Sequence, residues 1–285
     1  MWLSLTVNRN GIRSSRLLHQ HHYRLHVNTK TIERTAAHPE RNTQFEYLQR
    51  QRAAHQAAGQ PVLSLDTKKK KLIGNFKNAG RTWGTHPESV NVHDFPTDAL
   101  GRAVPYGIYD LQHNRGHVYV GQSADTPEFA VANLERWCET ELPRTYPEAT
   151  MLFLEVDSGG SNGARCRLWK QQLQAKIADR FGLMVTVAHY PTGCSKWNPI
   201  EHRLFSEISK TWAGCPLRSY ELMLQYLGET KTETGLTVEA VLVTAEYRKG
   251  ITVSDKVMAA LDVQSHVTCP QWNYTIAPRV KPVCC

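Results

Sequence analysis

The 285-residue chain lacks most of the features by which an enzyme class is recognised at sight. No apolar run approaches the roughly 18 residues that a membrane span needs, and the opening MWLSLTVNRNGIRSSR has no apolar core of the roughly 7–15 residues found in a secretory signal. A soluble, cytoplasmic protein without a membrane partner is expected. The seven cysteines, at 138, 166, 194, 215, 269, 284 and 285, include no C-x-x-C pair, which removes zinc-ribbon and thioredoxin-like readings and leaves reduced thiols as the default. Neither G-x-x-x-x-G-K-[ST] nor G-x-G-x-x-G occurs, so Gly159-Gly160 alone is a weak sign of a phosphate loop. Ser158 is not in a G-x-S-x-G element and no cysteine has a recognisable catalytic setting, which leaves serine and thiol hydrolases without a motif. Internal repeats and low-complexity tracts are also absent.

What is present is enough for a sizeable core: 41% hydrophobic residues, with 7 Trp, 11 Tyr and 7 Phe. The length suits one large domain, or one domain with a smaller appendage. A net charge of +8 favours an acidic partner such as nucleic acid, although only modestly for this length.

Residues 1–60 are basic, rich in His and Gln, and read as a helical appendage. The group His19, His21, His22 and His26 has no nearby acid or cysteine to complete a metal site, so a polar, solvated helix accounts for it. Pro61 to Asp66 is a short apolar strand stopped by an acid, followed by Lys68 to Lys71. The Gly- and Pro-rich stretch at about 67–102 reads as an insertion with one short strand. Ala103 to Leu111 and His117 to Gly121 form a hairpin. A helix over Thr126 to Glu141 follows, with Asp125 available as its cap. Thr150 to Val156 is a second core strand ending in an acid, Asp157, and a glycine-rich turn leads from it into a helix at about Arg165 to Phe181, closed by Gly182. Leu183 to Ala188 is a third apolar strand. Asn198 and Pro199 suit the first positions of a helix running through Trp212. Beyond 216 the periodicity predicts helices near Ser219 to Leu227 and near Val238 to Tyr247, then a tail.

This α/β order sets acids at the ends of two core strands and at the start of a helix, and ligands gather at strand ends in such sheets. Asp66, Asp157 and Glu201 are therefore candidates to converge on hard divalent cations, which take oxygen ligands and assist phosphoryl transfer in pairs. Each acid also has a plainer reading. Asp66 and Asp157 suit turns or caps, and Glu201, three residues after Asn198, suits a capping box. The four lysines suit phosphate contacts or a solvated strand edge equally well. Lys196 and Trp197 suit contact with a DNA end, and Trp197 also suits a core position near the helix start.

Five separated stretches carry a more specific signal: Leu63-Ser64-Leu65-Asp66-Thr67-Lys68-Lys69-Lys70, Gly74-Asn75-Phe76-Lys77-Asn78, Val92-His93-Asp94-Phe95, Asp157-Ser158-Gly159-Gly160-Ser161-Asn162-Gly163 and Ser195-Lys196-Trp197-Asn198-Pro199-Ile200-Glu201-His202. In this order they resemble the Rhodopirellula-type DDE transposases of insertion sequences, over about residues 10–278, and the N-P-I-E element is also similar to that of mariner-like transposases. The resemblance implies an RNase H-like mixed sheet flanked by helices, with a short helical N-terminal segment. It implies that Asp66, Asp157 and Glu201 bind two magnesium (or manganese) ions and that the enzyme cuts and joins transposon DNA.

The domains then read as a residual DNA-binding segment at 1–60, a catalytic core at 61–215 with its insertion, and a C-terminal helical extension and tail at 216–285. Family members carry a helix-turn-helix region ahead of the core, and Ile12 to Leu25 resembles the end of one, so a truncated start is expected. Transposon-end and target DNA are the implied partners, a homodimer follows from action on paired ends, and the implied location is the bacterial cytoplasm, on the nucleoid when DNA is bound. Two other readings stay open: a truncated remnant that only binds DNA, and an RNase H-like nuclease acting on generic nucleic acid.

Overall fold

The computed structural model describes residues 20–21, 38–92 and 95–279. Of the histidine group only exposed His21 is among them; His19, His22 and His26 lie outside the described residues, as do His93 and Asp94 of the third motif. The chain divides into two compact units, Met1–Ala37 and His38–Cys285, and the second holds the sheet.

The sheet is built on β1 (Val62–Thr67), β3 (Gly101–Asp110), β4 (Arg115–Gly121), β5 (Met151–Asp157) and β6 (Met184–Tyr190), in the spatial order β4-β3-β1-β5-β6. The hairpin β3–β4 runs antiparallel beside β1, while β5 and β6 run parallel to it. β2 (Lys71–Ile73), from the insertion, pairs with β3. β7 (Thr237–Val243) extends the sheet beyond β4, and β9 (Asn273–Ile276) and β8 (Val263–Ser265) extend it beyond β6. Val62, Leu63, Ser64 and Leu65 are all buried, the continuous pattern of a strand covered on both faces.

Two hydrophobic layers sandwich the sheet. On one face, α2 (Pro127–Thr145) and α3 (residues 167–181) bring Trp137 and Trp169 against Leu63, Leu65, Leu154 and Val156. On the other, α1 (Arg41–Ala57), α4 (residues 199–211) and α5 (Tyr220–Glu229) bring Leu48, Ile200, Leu204, Phe205 and Met223 against Val62, Tyr109 and Phe153. A last short helix, α6, spans Asp255–Ala259. Among the described residues no helix is long and apolar enough to cross a membrane.

Local chemistry explains the boundaries. Thr126, not Asp125, caps α2: its side chain accepts from the Phe129 N–H at 3.2 Å, and Pro127 takes the first helical position. Asp125 instead accepts from Thr67 Oγ1 and pairs with Lys70. α3 ends where Gly182 turns left-handed, φ +69°. α1 is joined to the sheet by a reciprocal amide pair: Gln44 donates to Asn273 Oδ1 at 2.7 Å, and Asn273 donates back at 2.6 Å.

The stretch Val238 to Tyr247, expected as a helix, contains strand β7 instead. Its Thr and Val residues favour an extended chain, and Val238 is buried between exposed Thr237 and Glu239 in the alternation of a strand. The edge of β4 supplies the deciding force, since pairing from Arg115↔Thr237 to Gly121↔Val243 satisfies backbone groups that would otherwise face water. The part of the chain beyond 216, expected to be helical, thus supplies three strands as well as α5 and α6.

Candidate active site

β1 and β5 are parallel neighbours paired Leu65↔Val156, and one further step along the strands sets Asp66 beside Asp157 at their carboxyl ends. Both point to the α4 face, alternating with Leu65 and Val156, which are buried on the other. Glu201 arrives on α4, and glycine lets that helix approach. Gly107 is the register partner of Asp66, and a Cβ there would meet Phe205 at 2.6 Å and Ile200 at 2.9 Å. Gly116 on β4 makes the same room for Leu204. The first helical residues after the N-P-I element form a π turn, Glu201–Phe205, a local widening common at functional sites.

The electrostatics show how close the acids lie. Burial and the negative charge of Asp157 push the Asp66 carboxyl up to about 8, with a further contribution from Glu201 and opposition from the Thr67 N–H, which donates to Oδ1 at 2.7 Å. Asp157 is raised chiefly by burial and also by Glu201, against the stabilising Asn198 amide. Among the described residues no Lys or Arg comes within ion-pairing distance of any of the three. Glu155, two residues earlier on β5, is by contrast fully neutralised by Arg52. Three half-buried carboxylates, the two aspartates raised by burial and neighbouring negative charge and none of the three ion-paired to a described Lys or Arg, are a donor set suited to hard divalent cations.

Sequence reasoning missed the residues that hold this cluster. The cap of α4 comes from Ser64 on β1: its hydroxyl accepts from the Ile200 N–H at 3.2 Å and donates to Asn198 Oδ1. Asn198 spends its side chain on this link and on donating to Asp157 Oδ1 at 3.4 Å, so the expected capping box with Glu201 is not formed. The Glu201 carboxylate instead faces Asp66, and its negative charge contributes to raising that carboxyl. A serine inside the apolar run Val62 to Leu65, on the same strand face as Asp66, was the available signal. His189, held neutral because burial pulls it down to about 4, donates to the Asp157 carbonyl at 2.9 Å and fixes the strand end. In the glycine-rich turn, Asn162 accepts from Tyr106 at 3.3 Å, and Gly160 has φ +71°.

Ser64→Ala is expected to cost about 2 kcal/mol, from a lost cap and an unsatisfied buried Asn198 oxygen. Urea denaturation measures this, and stability within about 0.5 kcal/mol of the parent, the usual range for surface changes, would remove Ser64 from the role.

The lysines divide by function. Lys68 Nζ donates to the Phe205 carbonyl at 2.8 Å and to Ser209 at 2.6 Å, tying β1 to α4, and burial pushes it down to about 8. Lys71 donates to Asn78 and lies over Trp212. Lys69 and Lys70 are exposed, and with Lys77 and Arg102 they line a cleft of about 750 Å³ that begins at Thr67, next to Asp66. Trp197 is 52% exposed, edge-on to Phe45 and under Lys196, rather than in the core.

The fold is shared with solved structures. Mos1 transposase in a paired-end complex with left transposon end superposes with a TM-score of 0.50 at 14% identity, over 76% of this chain and 62% of that one. A pre-cleavage Mos1 transpososome and the mariner Mos1 paired-end complex with Mg each give 0.48 at 12% identity, over 76% of this chain and 62% of theirs. The chain thus spans about three fifths of the length of the Mos1 protein (62%), and the likeness bears out the RNase H-like mixed sheet. Among curated proteins none matches in sequence. The sequence does match, across residues 10–278, the family described as Rhodopirellula transposase DDE domain, and the chain belongs to that family.

Proposed function

We propose that the protein is a DDE transposase that cleaves transposon DNA at its ends and joins the freed 3′ end to target DNA. The observation that carries this reading is the convergence of Asp66, Asp157 and Glu201, none ion-paired to a described Lys or Arg, at the head of a lysine-lined cleft. In this reading the three carboxylates hold two magnesium or manganese ions. Such cations supply Lewis acidity and positive charge to the phosphoryl group under attack.

The remaining work falls to the chain. Ser64 and Asn198 fix the direction of Asp157 and Glu201. Lys69, Lys70, Lys77 and Arg102 attract the phosphate backbone without reading sequence, since phosphate contacts position and base contacts specify. Trp197, exposed one residue before Asn198 with Lys196 against it, offers an aromatic face to an unpaired base. Residues 61–215 serve as the catalytic core, and action on paired ends calls for a homodimer.

The test is strand cleavage of duplexes carrying the inverted repeats that flank the reading frame. Nicks at the repeat ends are expected with Mg²⁺ or Mn²⁺ and none after chelation. Equal cleavage of duplexes without the repeats would indicate a general nuclease, and binding without cleavage in either metal would overturn the catalytic assignment.

A further inference from the structure

A second group of potential ligands lies on the opposite, α2 face of the sheet. His117 on β4 and Glu239 on β7 are register partners, and Glu141 reaches over them from α2. One ligand atom from each lies within 4.8 Å of the other two, a spacing that no other His, Cys or acidic trio reaches among the described residues, the catalytic acids included.

The imidazole is the informative member. His117 is 5% exposed and packs edge-on to Trp137 at 6.4 Å, yet among the described residues neither ring nitrogen makes a hydrogen bond. The Glu239 carboxylate stands 3.9 Å from Nδ1. The ring thus sits beside two carboxylates, Glu141 and Glu239, on the wall of the cavity that all three line.

A cation already bridges the two acids. Arg144 contacts Glu141 at 2.7 Å and Glu239 at 3.4 Å, while Arg115 stands 4.0 Å from Glu141. The Arg144 side chain is half exposed and borders a cavity of about 370 Å³ that the same three ligands line, so it can swing into water without disturbing the core.

We propose that His117, Glu141 and Glu239 form a second metal site, separate from the catalytic acids, for a borderline divalent cation of the zinc class. One imidazole nitrogen and two carboxylates, with room for water, make a three-ligand set that zinc accepts, whereas magnesium prefers oxygen alone. The cation takes the bridging place of Arg144 and staples β7 and α2 to β4, which fastens the C-terminal strand to the core.

The test uses the full chain with Asp66→Asn and Asp157→Asn in place, so that the catalytic acids do not contribute, and Zn²⁺ alone as the probe in calorimetric titration and thermal melting. One Zn²⁺ per chain and a raised Tm are expected, with excess Mg²⁺ failing to compete. Glu239→Gln, an exposed change that leaves folding intact, should weaken binding by at least roughly 10–100-fold, as losses around metal sites do. Arg144→Ala should tighten it, because the competing cation is gone; an ion-pair network with no metal role predicts lost stability and no gain in affinity. Absence of stoichiometric binding, or binding unchanged by both Glu239→Gln and His117→Gln, would overturn the site.

Discussion

Asp157→Asn is expected to lower metal-dependent strand cleavage by roughly 10³-fold, about 4 kcal/mol of lost transition-state stabilisation, while leaving DNA binding near its original strength. The two effects separate because Asp157 faces Glu201 and Asn198 rather than the lysines of the cleft. Asparagine keeps the shape and still meets the Asn198 amide, so the fold is retained and the lost property is charge. Nicking assays and gel shifts on one duplex measure both quantities, and a decrease in cleavage of less than about tenfold, 1.4 kcal/mol, would remove Asp157 from the metal-holding set.

Asp66→Asn should share the catalytic defect and adds a pH signature in metal-free protein. With the Asp66 carboxyl at about 8 in the fold against an ordinary 3.8, the folded chain keeps a proton that the unfolded chain has released. Stability therefore falls as pH rises between those values, and the deficit is complete above about 8. The variant escapes this loss, so its Tm advantage over the parent should grow from pH 4 to 8 and then level off. A constant difference across that range would contradict the mutual repulsion of the acids.

The convergence of Asp66, Asp157 and Glu201 was legible in sequence because its signals are local. An apolar strand stopped by an acid appears twice, and Pro199 marks the helix that brings the third acid. The supports were not legible, because they join distant positions through space. Ser64 caps a helix that starts 135 residues later in sequence at Pro199, and nothing in that helix's own residues indicates a cap from outside. Val238 to Tyr247 was misread for a related reason: its apolar spacing fits either periodicity over so short a span, and the unpaired edge of β4 decided the outcome. Lys68 sits in a run that looks uniformly solvated, yet the β1–α4 junction buries it against Phe205 and Trp212.

Arg52→Met is expected to destabilise the protein by about 3 kcal/mol, the lower end of the cost of breaking a buried ion pair, which lowers Tm by roughly 6–10 °C for a chain of this size. Arg52 on α1 donates through Nε and Nη2 to both oxygens of Glu155, each at 2.7 Å, and Glu155 is completely buried in β5. Tyr190 on β6 donates to the same carboxylate at 2.7 Å. Removing the guanidinium leaves a buried negative charge with one hydroxyl for company, and part of the arginine is already exposed, which is why the low end applies. Adding Glu155→Gln should recover much of the loss, since a neutral amide still accepts from Tyr190 and no charge remains unpaired. A cost below about 1 kcal/mol for Arg52→Met, as for a surface pair, would show that α1 is held by Gln44 and apolar packing alone. A double-mutant cycle across Arg52 and Glu155 separates the two cases, because only a true buried pair gives a coupling comparable to the single losses. The same pair also explains why one acid of β5 is free to serve the site: Glu155 is spent on α1, and Asp157, one pleat further along the same face, is left without a cation of its own.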